Sequence, residues 1–318
     1  MEPKTIKRRV ELVNLVENSE HLIDIPRVHD LMSLMVELSG TLTVAVAAAT
    51  SVPTESPAEL LKRIDFIANG KDVLEQVPFT VAVFGNYDRD FVTESTAPGT
   101  PVAAYPFRAV AFLDRAMVRS VRPKDTAFQA YLANLLQLRI TTGTVDDIIT
   151  KGGATVTLSN TTIEVSALTI LEKAQDQGEG KWVRKRSLQS EVITGANSNL
   201  RLRVPVGNHV RQITLHALDG GEPSDVLINS IQFVADGVDV RHNLTYSATR
   251  SVNRARVKVA PPAGFAIIDP IDSTEVGKAS NFWNLKNSSL AEVVLDVAAP
   301  VGAASIEMVT DEVIGIAG

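Results

Sequence analysis

The sequence predicts an all-β protein made of two consecutive β-sandwiches, and three observations carry that reading. Its apolar residues fall in short β-branched or alternating runs, most of them bounded by Gly, Pro, Asn, Asp or Ser. Amphipathic helices of 10–15 residues do not alternate with these runs, which disfavours a parallel βαβ architecture and favours antiparallel sandwiches. One strand-and-turn unit also occurs twice. Ile64-Asp65-Phe66-Ile67-Ala68-Asn69-Gly70-Lys71-Asp72-Val73 aligns with Ile231-Gln232-Phe233-Val234-Ala235-Asp236-Gly237-Val238-Asp239-Val240, 167 residues further on, with six of ten positions identical.

In chain order, Lys4 to Val16 places Ile6, Val10, Val13 and Val16 at three-to-four spacing, with Lys4, Lys7, Arg8 and Arg9 crowding the start. This spacing predicts a short, basic, amphipathic helical arm within residues 1–24. Strand signals follow from Pro26 onward: Leu34 to Leu38, Thr41 to Val46, Ile64 to Ile67, Ala109 to Leu113, Leu135 to Thr141, Ala154 to Leu158 and Thr162 to Ile170. Short helices are expected near Lys71 to Gln76, Thr126 to Leu136 and Val145 to Thr150. Each copy of the repeated unit runs into Asn-Gly or Asp-Gly, the strongest turn dipeptides, so each reads as a strand entering a tight turn. Ile64, Phe66 and Gly70, and Ile231, Phe233 and Gly237, are its structural positions.

The charged, Gly-containing stretch Glu172 to Asn199 is the linker candidate. Beyond it, strands are expected at Leu200 to Val206, Val210 to Leu215, Leu227 to Ala235, Arg254 to Val259, Ala291 to Val297 and Ser305 to Val309. A second echo closes the halves, Thr162-Ile163-Glu164-Val165 against Ser305-Ile306-Glu307-Met308. The expected organisation is an arm over 1–24, a first sandwich over 25–180 and a second over 181–318, each long enough for eight strands with Greek-key connections.

Composition narrows the function. The 318 residues, 45% apolar and 21% charged, suit about two folded domains. A net charge of −6 lacks the basic excess of a whole-surface nucleic-acid binder. Zero cysteines exclude disulfides, thiolate catalysis and sulfur-ligated zinc. The front of the chain has no apolar run long enough for a signal peptide or a membrane span.

Catalytic patterns are largely missing. Gly178-Glu179-Gly180-Lys181 continues to Trp182 and lacks P-loop spacing, and neither a Gly-x-Ser-x-Gly elbow nor a His-Glu-x-x-His pair occurs. His21, His29, His209, His216 and His242 are dispersed, without the i, i+4 spacing of a helical metal site. Asp88 and Asp90 read as loop acids, Asp146 and Asp147 as acids of a helix start. Lys181 to Arg186, four cations around Trp182, could hold phosphate or single-stranded nucleic acid, but a solvated strand between domains is the simpler reading.

The basic arm, the first β unit with its strand ending in Asn-Gly, the charged linker and the second β unit repeating that strand form a specific ensemble. It resembles the double jelly-roll major capsid proteins of non-tailed icosahedral viruses with an internal membrane, of the tectivirus and corticovirus type. Pro205-Val206-Gly207, inside Leu200 to Leu215, is similar to the Pro-x-Gly strand start that opens the second jelly roll in that family. The resemblance implies two eight-stranded jelly rolls and a homotrimer forming a pseudo-hexagonal capsomer of a virion shell assembled in the host cytoplasm. It implies no catalysis, no cofactor, no metal and no sequence-specific contact with nucleic acid. Partners would be neighbouring trimers, penton and minor capsid proteins, and the internal lipid membrane, met through Lys4, Lys7, Arg8 and Arg9. The stretches Asn86 to Pro106 and His242 to Pro270 would include outward loops. The rival readings are a two-domain carbohydrate-binding protein or adhesin, for which only Trp182 and Trp283 offer tryptophan platforms, and a hydrolase using Asp88, Asp90, Asp146 and Asp147.

Overall fold

The computed structural model describes residues 5–45, 56–91, 94–96, 103–116, 126–149, 153–171, 182–270 and 282–315. Two compact units emerge. The first contains β1 (Thr5–Asn14), β2 (Glu20–Asp24), β3 (Asp30–Ala45), β4 (Leu61–Ala68), β5 (Asp72–Val77), β6 (Glu94–Thr96), β7 (Ala103–Asp114), β8 (Leu136–Thr142) and β9 (Thr155–Ile170). Two short helices, α1 (Ser56–Glu59) and α2 (Phe79–Phe84), accompany them. The strands pair antiparallel in the orders β1-β9-β3-β7-β6 and β5-β4-β8-β2. Side chains alternate across a strand, and one set, including Leu34, Val36, Leu38, Ile64, Phe66, Leu138, Ile140, Ile163 and Val165, is fully buried.

The second unit contains β10 (Trp182–Ile193), β11 (Asn197–Arg203), β12 (His209–Asp219), β13 (Glu222–Pro223), β14 (Ile228–Ala235), β15 (Asp239–Thr245), β16 (Phe265–Ile268), β17 (Trp283–Asn284), β18 (Ala291–Val297) and β19 (Ala304–Gly315), with α3 (Tyr246–Val257). One sheet runs β10-β19-β12, with β13, β16 and β17 along the far edge of β12, and the other runs β11-β18-β14-β15. Its core joins Ile213, Leu215 and Ala217 of β12 and Ile306 and Met308 of β19 to Leu202, Ile231, Phe233, Val293 and Leu295 of the opposite sheet. Tyr87–Phe91, which lie between β5 and β6 in sequence, are part of this unit.

The two units repeat one wiring. Orders β1-β9-β3-β7 and β2-β8-β4-β5 in the first become β10-β19-β12-β16 and β11-β18-β14-β15 in the second. Each is an eight-stranded jelly roll with a few added short strands.

The sequence expectations need several corrections. The helical arm is instead the strand β1, paired with β9 from Thr5↔Ile170 to Asn14↔Thr162. A register shift between Arg9 and Glu11 inserts one residue, which brings Ile6 and Val13, of opposite parity, to the same face and so produced the helix-like spacing. Thr5, Ile6, Val10 and Val13 are β-branched, and a lone helix of about 12–15 residues is marginal in water, so pairing with β9 wins. The helix expected at Lys71 to Gln76 is the strand β5, because the Asn69-Gly70 turn folds that segment back on β4. In the Thr126 to Leu136 stretch only a 3₁₀ turn, Ala130–Leu132, precedes β8. The strand expected from Arg254 to Val259 is the end of α3, whose Thr245 cap accepts from the Ala248 amide at 3.2 Å. The linker candidate Glu172 to Asn199 contains all of β10 and the start of β11. Leu34 to Leu38 and most of Thr41 to Val46 merge into the single strand β3.

Candidate functional site

The repeated strand-and-turn folds twice into the same hairpin. Asn69 and Gly70 take φ of 53° and 74°, and Asp236 and Gly237 take 52° and 75°. Only residues that tolerate the left-handed region fit there, which is what Asn-Gly and Asp-Gly supply. The ladder slips by one residue between Phe66 and Ile67 in β4 and at the matching place, between Phe233 and Val234, in β14. Phe66 and Phe233 fill equivalent core positions. Phe66 meets Phe128 edge-on at 5.8 Å between ring centroids, and Phe233 meets Trp283 at 4.5 Å. The Asn69 amide donates to the Leu135 carbonyl and the Asp236 amide to the Leu290 carbonyl, both at 2.8 Å.

A second feature lies on the face of β10, β12 and β19 opposite the core of the second unit. Ile306 and Met308 point into that core, so strand alternation turns Asp311 outward. Two arginines meet it there: Arg184 Nη2 donates to Asp311 Oδ2 at 2.6 Å and Arg211 Nη2 donates to it at 2.7 Å. Arg211 sits at a register shift between Val210 and Gln212, which frees its side chain from the alternation. Asp88, from the 3₁₀ turn Tyr87–Arg89, completes the node, accepting from Arg211 Nη1 and Nη2 at 2.7 Å each and from Arg184 Nη2 at 3.0 Å. Arg184, Arg211 and Asp311 are all buried. Burial alone would raise the Asp311 carboxyl, but the guanidiniums of Arg184 and Arg211 outweigh it and hold it below the ordinary carboxylate range. Desolvation pushes neighbouring Arg186 down to about 10, with Asp311 opposing and Arg211 reinforcing. Tyr87 and Phe91 flank the acid and pack with Val257 and Ile267 in a small apolar cluster.

Further along this face, His216 stacks on Phe265 at 4.2 Å, and its Nδ1 lies 3.0 Å from Glu307 Oε2. The equivalent face of the first unit carries exposed ion pairs instead: Arg108 forks onto Glu37 with two bonds of 2.8 Å, and Arg9 approaches Glu164 at 4.0 Å.

Of the basic residues singled out in the sequence, Lys7, Arg8 and Arg9 lie on β1, while Lys4 lies outside the described residues. The acids do not assemble into one site. Asp88 belongs to the ion-pair node of the second unit, whereas Asp146 and Asp147 belong to the first. Asp90 follows the same 3₁₀ turn with φ of 59°. Asp147 closes a capping box with Thr144 and accepts from Lys62 Nζ at 2.7 Å. Its carboxyl is lowered because Lys62 and Thr144 overcome its desolvation. Arg184 corrects the solvated-strand reading of Lys181 to Arg186, since it is fully engaged in the node. Sequence reading missed Arg211 and Asp311; the available signal was Arg211 interrupting the apolar run Val210 to Leu215, and Glu307, Asp311 and Glu312 interrupting Ser305 to Ile314. Among the described residues no group of three His, Asp or Glu converges as metal ligands, and no helix is long and apolar enough to cross a membrane.

Solved structures share this double arrangement end to end. The STIV MCP superposes with a TM-score of 0.80 at 15% identity, covering 98% of this chain and 97% of that one. The chain has the double jelly-roll fold of viral major capsid proteins. A chain in the atomic structure of the Sulfolobus Turreted Icosahedral Virus matches at 0.78 and 15% identity over 98% and 91% of the two chains. The major capsid protein P2 from bacteriophage PM2 matches this double jelly roll at 0.62 and 10% identity over 99% and 98%. No protein-family model matches the chain, and no curated protein does.

Proposed function

We propose that this double jelly roll is a major capsid protein, a structural rather than catalytic subunit, and that three copies form a pseudo-hexagonal capsomer of an icosahedral shell. The observation that carries the reading is a pair of like-wired jelly rolls, matched over 98% of the chain by the STIV MCP. Two similar lobes per chain give six per trimer, the number that a hexagonal tile needs, and closed rings of this kind require complementary sides on each subunit. Contact with an internal membrane and with penton and minor capsid proteins, and assembly in a host cytoplasm, extend the proposal on the sequence resemblance alone. The carbohydrate-binding alternative loses one of its two platforms, since Trp283 is half-buried against Phe233.

Light scattering on the size-exclusion peak of the full chain tests the reading. A trimer of the 34.2 kDa chain, of about 103 kDa, is expected, followed by hexagonal tiles or particles in electron micrographs. A stable monomer that forms no larger assembly at any concentration would overturn it.

A further inference from the structure

The five residues Tyr87–Phe91 sit on the second unit as a short peptide sits in a receptor. Tyr87, Asp88 and Phe91 are buried, Arg89 is half-buried and Asp90 is exposed, so three side chains act as anchors and two face outward. Tyr87 and Phe91 stand with ring centroids 5.6 Å apart and pack on Val257 of α3 and Ile267 of β16. Arg256 Nη1 donates to the Tyr87 hydroxyl at 3.4 Å. Asp88 takes both Nη groups of Arg211 and one of Arg184. The Arg184 and Arg211 side chains are only 4% and 3% exposed. In so dry a setting a forked guanidinium selects a carboxylate strongly.

The backbone of the segment is held by these contacts. After the 3₁₀ turn, where the Asp90 amide donates to the Tyr87 carbonyl at 3.1 Å, Asp90 and Phe91 take left-handed φ of 59° and 54°. An aspartate tolerates that region, but a phenylalanine adopts it rarely and keeps it only where its surroundings impose it. The chain up to Asn86 belongs to the first unit, whereas the side chains that receive the segment come from β10, β12, α3 and β16 of the second. A linear stretch of five residues therefore meets a preformed set of partners drawn from four separate elements.

We propose that the second jelly roll carries a recognition site for a short acidic-aromatic peptide of the pattern Tyr-Asp-x-x-Phe, that Tyr87–Phe91 fills it within the same chain, and that a free peptide of this pattern takes its place when the segment is withdrawn. Arg184 and Arg211 read the carboxylate, Val257 and Ile267 read the rings, and Arg256 meets the tyrosine hydroxyl. Buried aromatic anchors and arginines carry most of the energy in recognition of this kind. In the native chain the tether keeps the site full, because a short connection supplies its end at an effective concentration of about millimolar. Such recognition does not depend on how many copies associate, so it stands apart from the capsomer reading.

Fluorescence anisotropy with a labelled synthetic peptide of residues 84–94 tests the site. The full chain carrying Tyr87→Ser, Asp88→Ser and Phe91→Ser is expected to bind this peptide saturably below about 1 mM. The same peptide with Asp88→Asn should bind at least about tenfold more weakly, since it lacks the charge that the two arginines read. The native chain, its site already filled, should bind neither. A folded variant that ignores the peptide up to that concentration, or takes both peptides equally, overturns the inference, and so does a native chain that binds as well as the variant. If the triple variant fails to fold, the isosteric Asp88→Asn chain replaces it. Its weakened segment should yield to the native peptide at about millimolar concentration and not to the peptide with Asp88→Asn, and absence of that difference overturns the inference.

Discussion

The backbone amide of Asn134 donates to Oδ1 of Asn69 at 2.8 Å, and Ser289 makes the same bond to Asp236 at 2.7 Å. In both jelly rolls the turn residue that starts the left-handed pair thus also fastens the approach to the next strand of the sheet, β8 or β18. One side chain does two jobs: its short polar group tolerates positive φ, and its oxygen satisfies an amide that no strand pairs. Asp236 responds as expected, its carboxyl held below the usual range first by the Ser289 backbone and then by the Ser289 hydroxyl and neighbouring donors.

The turn glycines give the simplest test. A Cβ placed on Gly70 or Gly237 meets nothing within 4 Å, so the cost of substitution is purely torsional. Gly70→Ala and Gly237→Ala should each lose about 1 kcal/mol, from φ values near 75°. Thermal or urea unfolding reads this as a small and similar loss in both variants. An unchanged or raised stability would contradict the turn assignment.

The repeated aromatics should matter far more. Phe66 and Phe233 are fully buried, and truncation leaves a cavity as well as lost apolar transfer. Phe66→Ala and Phe233→Ala are each expected to cost about 3–5 kcal/mol in denaturant unfolding. Similar losses at the two sites would confirm that they hold equivalent places in their sandwiches, and a loss below about 1 kcal/mol at either would deny it.

The ion-pair node predicts a strong effect from one loop residue. Asp88→Ala removes a carboxylate that both Arg184 and Arg211 bind while leaving the two guanidiniums buried, and breaking a buried pair in this way costs about 3–5 kcal/mol. The same truncation releases Tyr87–Phe91, so limited proteolysis should cut near Arg89 in the variant before it cuts the native protein. Resistance equal to the native chain would show that the node does not hold the segment.

Acid should weaken the second unit through Asp311. Its folded carboxyl lies below its unfolded value, so its stabilising contribution is complete above about pH 4 and is lost as pH falls through the lower, folded value. Stability measured between about pH 5 and 2 should therefore fall less steeply in Asp311→Asn than in the native protein, although the variant starts lower. Parallel slopes would mean that Asp311 keeps an ordinary carboxyl.

The expected basic arm shows where one-dimensional reading goes astray. Spacing alone made Lys4 to Val16 a helix, because a bulge in a strand shifts the apolar positions just as a helical period would. Only the presence of β9 alongside resolves the two. Likewise Lys71 to Gln76 has no strong strand pattern of its own, and becomes β5 because the turn before it dictates a return path.

The sequence by itself determined the β class, most of the strands and both hairpins, since alternation and the φ preferences of Asn-Gly and Asp-Gly act over a few adjacent residues. It also carried the duplication that makes the two jelly rolls alike. Only the tertiary structure decided where β1 pairs, that Tyr87–Phe91 belong with the second unit, and that Arg184, Arg211, Asp88 and Asp311 converge. The hydrogen-bonded partners of that node are separated by 96 to 127 positions along the chain. Whether a charge is solvated or buried against its opposite depends on which distant strands close over it, and local sequence does not specify that.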